Sequence, residues 1–199
     1  MENKIKFETV LREGLENGLK NLPSLLGALI LWVLTIWIPY INVGTTIAIF
    51  TIPIQMSKGT IFSPLEIFDK KYYRYMGEVF LTIGLMSMGI IAGFVFFIIP
   101  GYVIAMAWSL SIYLVLDKGL NAAEALRVSN KLTFGNKWTI FAVYLVLVFI
   151  YFISVLIFSF IPYLGAVLIL CVFIVFFAAM LGVNASIYGT LSKNIEEQH

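Results

Sequence analysis

The chain has one histidine, His199, and one cysteine, Cys171, which lies in the middle of an apolar run. Without an internal imidazole, the sequence lacks the parts for a metal cluster or a serine–histidine catalytic pair. A lone cysteine excludes an intramolecular disulfide and leaves the redox compartment unread. Charge is also scarce, with Asp, Glu, Lys and Arg making up only 12% of the residues, well below the usual share in soluble domains. None of it lies inside the long apolar runs, and Glu78 and Asp117 stand at their edges. Proton relays, voltage sensors and ion-coupled carriers need ionisable groups within the membrane, and these runs supply none. A pair of working carboxylates could be built only at the edge, from Glu66, Asp69, Glu78, Asp117 or Glu124. The expectation is a protein without enzymatic activity, cofactor or metal. The net charge of +2 is unremarkable, and no nucleic-acid partner is expected.

What the chain has in excess is apolar sequence, at 61% hydrophobic residues. Six runs stand out, at about 22–38, 41–56, 79–99, 102–116, 138–161 and 163–189, and the longer ones are long enough to cross a hydrocarbon core. The expected fold class is therefore an all-α integral membrane protein, one domain over 1–199, with six transmembrane helices arranged as three hairpins. The turns would fall at Ile38-Pro39-Tyr40, Ile99-Pro100-Gly101 and Ile161-Pro162-Tyr163, because proline disfavours helix at the residue before it. The first, second and fourth runs are short for a full crossing. Residues 22–38 do not read as the end of a cleaved signal peptide, since a charged segment precedes them and no small-x-small site follows.

Amphipathic segments separate the hairpins. Residues 4–22 carry Phe7, Leu11, Leu15, Leu19 and Leu22 at helical spacing, which predicts a helix lying in the membrane interface. Gly14 and Gly18 should weaken it, and Pro23 should mark the bend into the membrane. Two further elbow helices are expected at about 64–76 and 121–134. Ser63 and Asn121 are suitable N-caps, Glu66 and Glu124 follow three residues later, and Gly77 and Gly135 close each segment. Glu8, Glu66 and Glu124 are each 58 residues apart, so the layout reads as an internal repeat, firmer as twofold than as threefold.

The cations decide the expected orientation. Lys4, Lys6, Arg12 and Lys20; Lys58, Lys70, Lys71 and Arg74; Lys118, Arg127, Lys131 and Lys137; and Lys193 account for all thirteen, and the three Ile-Pro turns have none. With six spans these segments share one side, which the positive-inside rule makes cytoplasmic, in a multi-pass cell membrane protein with both termini inside. Arg127, Lys131, Lys137, Lys70, Lys71 and Arg74 are the candidate contacts for lipid headgroups. Polar residues within the second, fourth and sixth spans include Thr45, Thr46, Thr51, Gln55, Ser109, Ser111, Asn184 and Ser186, and the preferred reading is hydrogen bonding within the bundle. Gln55, Asn184 and Ser186 are the candidates for a polar path. Ala178, Gly182, Ser186 and Gly189, and Gly89 with Gly93, form small-residue faces suited to close packing, within one chain by default or against a protein partner or a second copy.

Residues 99–138 carry a further pattern, with Ile99, Pro100, Gly101, Trp108, Glu124, Ala125, Leu126, Ser129, Gly135 and Trp138 as its fixed points. This stretch resembles a prokaryotic multi-span membrane domain of uncharacterised function that is also found fused to glycerophosphodiester phosphodiesterases. The resemblance covers about forty residues closely and the rest loosely. It implies a membrane-embedded module that sits near lipid, without the phosphodiesterase domain. Two functions follow as expectations. The favoured one is a non-enzymatic module that binds lipid or a partner through its interfacial segments. The alternative is a channel or transporter for a small neutral solute or lipid.

Overall fold

The computed structural model describes residues 4–196, and side chains up to residue 193. All regular structure among them is helical: α1 (Phe7–Lys20), α2 (Leu22–Thr35), α3 (Pro39–Ser57), two 3-10 turns (Pro64–Phe68 and Lys70–Tyr75), α4 (Met76–Phe96), α5 (Ile98–Ala107), α6 (Ser111–Lys118), α7 (Ala122–Leu132), α8 (Lys137–Ser159) and α9 (Gly165–Glu196). Four helical stretches are long and apolar enough to cross a bilayer: Lys70–Phe96, Ile98–Lys118, Lys137–Ser159 and Gly165–Lys193. A fifth arises if α1 and α2, bent by 68° at their junction, are taken as one broken span. Alone, α2 is 14 residues long, short of the roughly 20 a crossing helix needs. α3 has 19 residues, but Asn42, three threonines and Gln55 dilute its apolar character.

The buried core lies toward the charged ends of the helices. Tyr188, Ile187 and Leu191 of α9, Ile140 of α8, Leu110, Leu114 of α6, Ile52 of α3, Leu25 of α2 and Phe62 are almost wholly enclosed. The opposite halves of α4, α8 and α9 keep Phe96, Phe149, Phe152, Leu156, Leu170 and Phe173 exposed, as lipid-facing surface would.

α1 does not simply rest on its leucine stripe. Its buried residues are Val10, Gly14 and Gly18, and they face α9 in the most extensive helix pairing of the fold. A methyl group at Gly14 would meet the Val183 backbone, one at Gly18 the Ala178 carbonyl, and one at Gly182 the Gly14 carbonyl and Gly18 amide. The glycines expected to weaken α1 are thus the reason it can approach α9, as small-residue faces allow. Phe7 and Leu19 stay exposed, while Leu11, Leu15 and Leu22 are partly buried against the core.

Reversals fall near the Ile-Pro sites, with one shift. Between α4 and α5 the extended residue is Phe97, at φ −160° and ψ 154°, and Pro100 lies inside the first turn of α5, where a missing N–H costs little. Close approach there uses Gly93, whose added Cβ would lie 2.9 Å from the Gly101 Cα, and Gly89, which is covered by the Trp108 ring. After α8, Tyr163 takes φ +63°, and the Leu164 amide donates to the Pro162 carbonyl at 2.7 Å.

The fourth apolar run, expected as one span over 102–116, is broken at Trp108–Leu110. Its freed groups are met by α7. Ser129 Oγ donates to the Ala107 carbonyl at 2.7 Å and accepts from the Leu110 amide at 3.2 Å, and Thr133 Oγ1 donates to the same carbonyl at 3.2 Å. α7 is the elbow helix expected at 121–134, and Asn121 caps it by accepting from the Glu124 amide at 2.9 Å. Gly135 follows at φ +77° in the turn to α8, a conformation only glycine adopts without strain. The elbow expected at 64–76 differs. It is two 3-10 turns running into α4, Ser63 makes no side-chain cap, and Gly77 meets nothing. It is therefore not the counterpart of α7 that a repeat calls for.

A Gly182→Val substitution forces α1 and α9 apart and is expected to destabilise the protein by roughly 1–3 kcal/mol, the usual range for overpacking. A lowered thermal midpoint in detergent, followed by tryptophan fluorescence, checks this; an unchanged midpoint would mean the helix pair does not support the fold.

Candidate functional site

The polar ends of the helices are joined in one layer. The Ile5 amide donates to Asn136 Oδ1 at 2.8 Å, and the Ala122 amide to Glu78 Oε2 at 2.8 Å, which links the starts of α7 and α4. Asp117 is nearly enclosed, accepts from Lys58 Nζ and from the Tyr188 hydroxyl at 2.6 Å, and lies 3.5 Å from Lys118 Nζ. Its carboxylate thereby ties α3, α6 and α9 together.

Beside this layer, where α3 meets the 3-10 segment, is a half-open cavity of ≈ 220 Å³ lined by Thr51, Gln55, Glu66, Lys71, Tyr72, Arg74, Tyr75 and Leu116. Local sequence explains its position. Lys58 and Gly59, the latter at φ +74°, end α3, and Thr60 returns both its amide and its hydroxyl to the Gln55 carbonyl at 3.1 and 2.8 Å. Phe62 and Ile67 then plug into the core, and the Ser24 hydroxyl donates to the Phe62 carbonyl. Asp69 starts the second turn by accepting from the Lys71 amide at 2.9 Å.

Glu66 is the centre of the cavity wall. Its Oε1 accepts from Lys71 Nζ at 2.7 Å, from Gln55 Nε2 at 3.0 Å and from the Tyr72 hydroxyl at 3.0 Å. Expected as a capping residue, it instead turns inward, and its Oε2 has no hydrogen-bond partner among the described residues. Burial pushes the Glu66 carboxyl up, but the hydrogen bonds from Lys71, Gln55 and Tyr72 and the Lys71 charge outweigh it, so the group sits below its ordinary value. The backbone and side-chain hydrogen bonds from Lys71 hold Asp69 below its ordinary value as well. Lys71 also lies 3.2 Å from Asp69 Oδ2 and over the Tyr72 ring at 5.0 Å. Arg74 lies over the Tyr75 ring at 4.7 Å and donates to its hydroxyl at 2.5 Å.

The six candidate headgroup cations do not form one cluster. Lys71 and Arg74 line the cavity, whereas Lys70 is exposed outside it. Arg127 and Lys131 are exposed one turn apart on α7. Lys137 donates to Asn130 Oδ1 at 2.8 Å and borders a small hollow with Tyr102, Trp138 and Phe141. The three path candidates are likewise separate. Gln55 is on the cavity wall, Asn184 accepts from the Tyr144 hydroxyl at 2.6 Å and donates to the Met180 carbonyl at 2.9 Å, and Ser186 donates to Glu13 Oε2 at 3.0 Å. Thr35, Thr45, Asn42, Trp32 and Thr46 satisfy one another between α2 and α3. Sequence reasoning missed Tyr75 and Leu116 as cavity residues; the alternation of bases and tyrosines in Lys70–Tyr75 was the available signal. Among the described residues no three His, Cys, Asp or Glu side chains gather as a metal site requires.

Comparison with family models, curated proteins and solved structures finds no match for the chain. The likeness seen over residues 99–138 therefore stands on those residues alone.

Because the folded pKa of Glu66 is depressed, its stabilisation is present above the ordinary value of 4.5 and is lost as pH falls through the lower folded value. Asp69 acts in the same direction. The wild-type thermal midpoint should drop between about pH 5 and pH 3, and that drop should be smaller in Glu66→Gln protein. Parallel curves for the two proteins would remove Glu66 from the account.

Proposed function

We propose that the protein is a non-enzymatic, multi-pass membrane module that holds phospholipid at its charged face. In this reading all six apolar helices are embedded, the three pairs return to one layer, and that layer faces the cytoplasm. The observation that carries it is the distribution of accessible polar chemistry. Within the apolar helices Trp32 bonds Thr46, Thr35 bonds Thr45 and Tyr144 bonds Asn184, while the half-open cavity and the cations Arg127 and Lys131 all belong to the charged layer. The 3-10 segment and the loop before it also expose Ile61, Leu65 and Phe68 ahead of Lys70 and Lys71, as a segment lying among headgroups would. The module suggested by residues 99–138 fits the same reading.

Sidedness is checked in a Cys171→Ser background. Cysteines at Tyr40 and Tyr163 are expected to react with an impermeant maleimide in intact cells, and those at Lys71 and Lys131 only after lysis. Labelling at Lys131 in intact cells would overturn the orientation.

Lipid binding is checked by native mass spectrometry of protein purified in mild detergent. Phosphatidylglycerol should be retained, and the Arg127→Gln, Lys131→Gln double variant should weaken retention by roughly thirtyfold, given ~1 kcal/mol per cation near a membrane surface. Solute flux in proteoliposomes that disappears in Gln55→Leu or Asn184→Leu protein would instead establish the channel or transporter alternative.

A further inference from the structure

The cavity between α3 and the 3-10 segment contains both signs of charge, and we propose that it is a headgroup site for an aminophospholipid, a lipid whose headgroup joins a phosphate to a primary ammonium. This inference rests on the lipid-module reading and specifies the ligand of its cavity. Glu66 presents one carboxylate oxygen saturated by three donors and a second, Oε2, with no partner among the described residues. Across the same space Arg74 makes, among the described residues, one hydrogen bond, to Tyr75, of the several a guanidinium can donate. An anionic headgroup alone would meet the Glu66 carboxylate, and a cationic one alone would meet Arg74 and Lys71. A ligand carrying both charges satisfies both walls, phosphate to Arg74 and ammonium to Glu66.

Two observations narrow the ammonium to a primary one. An ammonium bearing N–H groups can donate to the Glu66 carboxylate that walls this space. A quaternary ammonium would instead need open aromatic faces, but Lys71 already covers Tyr72 and Arg74 covers Tyr75. Size agrees: ≈ 220 Å³ is the space of roughly seven waters at ~30 Å³ each, enough for one such headgroup and too little for acyl chains. Those would run along the exposed Ile61, Leu65 and Phe68 of the same segment, which favours a lipid over a free phosphoamine.

The test measures retention of three lipids of matched acyl chains by the full protein in native mass spectrometry: phosphatidylethanolamine, phosphatidylcholine and phosphatidylglycerol. Soluble glycerophosphoethanolamine is the fourth probe. Wild-type protein is expected to prefer phosphatidylethanolamine over phosphatidylcholine. Arg74→Gln is expected to reduce retention of phosphatidylethanolamine roughly tenfold, as the loss of one charge-assisted hydrogen bond does. Arg74 is exposed, so this variant keeps the fold, which circular dichroism and the thermal midpoint verify. Glu66→Gln should erase the preference over phosphatidylcholine; if it does not fold, the Arg74→Gln result decides. Equal retention of ethanolamine and choline lipids, or no effect of Arg74→Gln, overturns the site. Competition by glycerophosphoethanolamine at the concentrations at which the lipid binds overturns the lipid as its source. If phosphatidylglycerol is still held through Arg127 and Lys131, the broader module reading survives that failure; if no lipid is held, both fall together.

Discussion

A freed backbone carbonyl or amide in a buried core has no water to turn to, and this constraint organises the fold around the break at Trp108–Leu110, where Ala107 and Leu110 are buried. Helix α5 ends at Ala107, and the exposed carbonyl would be costly if Ser129 and Thr133 did not reach it. α7 must therefore lie flat against the break, with Ala122, Ala125, Leu126 and Ser129 buried, and it leaves Arg127, Asn130 and Lys131 on the outer side. Glu78 holds the start of α7 and so fixes it to α4 as well. The cationic outer surface is thus the reverse of a helix whose inner surface repairs a broken neighbour.

The charged layer works by the same rule from the other side. Polar groups are collected at the helix ends, and there they bond across long stretches of chain. Asp117 reaches Lys58 and Tyr188, and Glu13 reaches Ser186. The core consequently lies near this layer, and the far halves of α4, α8 and α9 remain exposed. A cavity walled by Glu66, Lys71 and Arg74 can persist at the layer because each of these side chains is already oriented by a tyrosine or a partner charge.

Periodicity and composition made the helices legible. The apolar runs became helices, and Asn121 capped α7 by accepting from the Glu124 amide, while the Glu124 carboxylate met the Asn121 side chain rather than its backbone. The matching Ser63 and Glu66 did not behave alike, because Asp69 ends the first turn after five residues and begins another, and because Gln55 and Tyr72 lie within reach of the Glu66 carboxylate. Neither competitor is visible in a window of helical spacing. Gly14 and Gly18 illustrate the same gap. Propensity marks them as weak points within α1, and only the presence of Gly182 and Ala178, far along the chain, makes them contacts. Gln55 and Asn184 were legible as amides in need of partners, but the partners, Glu66 and Tyr144, depend on how separate helices settle.

The pairing of α1 with α9 also sets an order of assembly. α1 leaves the ribosome long before α9 exists, so its glycine edge is made without the surface it fits. In that interval the apolar stripe of Phe7, Leu11, Leu15 and Leu19 can hold α1 against the membrane surface, a parking position for an unfinished protein. The glycine edge meets its partner surface only once α9, with Gly182 and Ala178, has been made. A chain stalled before α9 would leave this seam open to whatever else in the membrane presents a small-residue face.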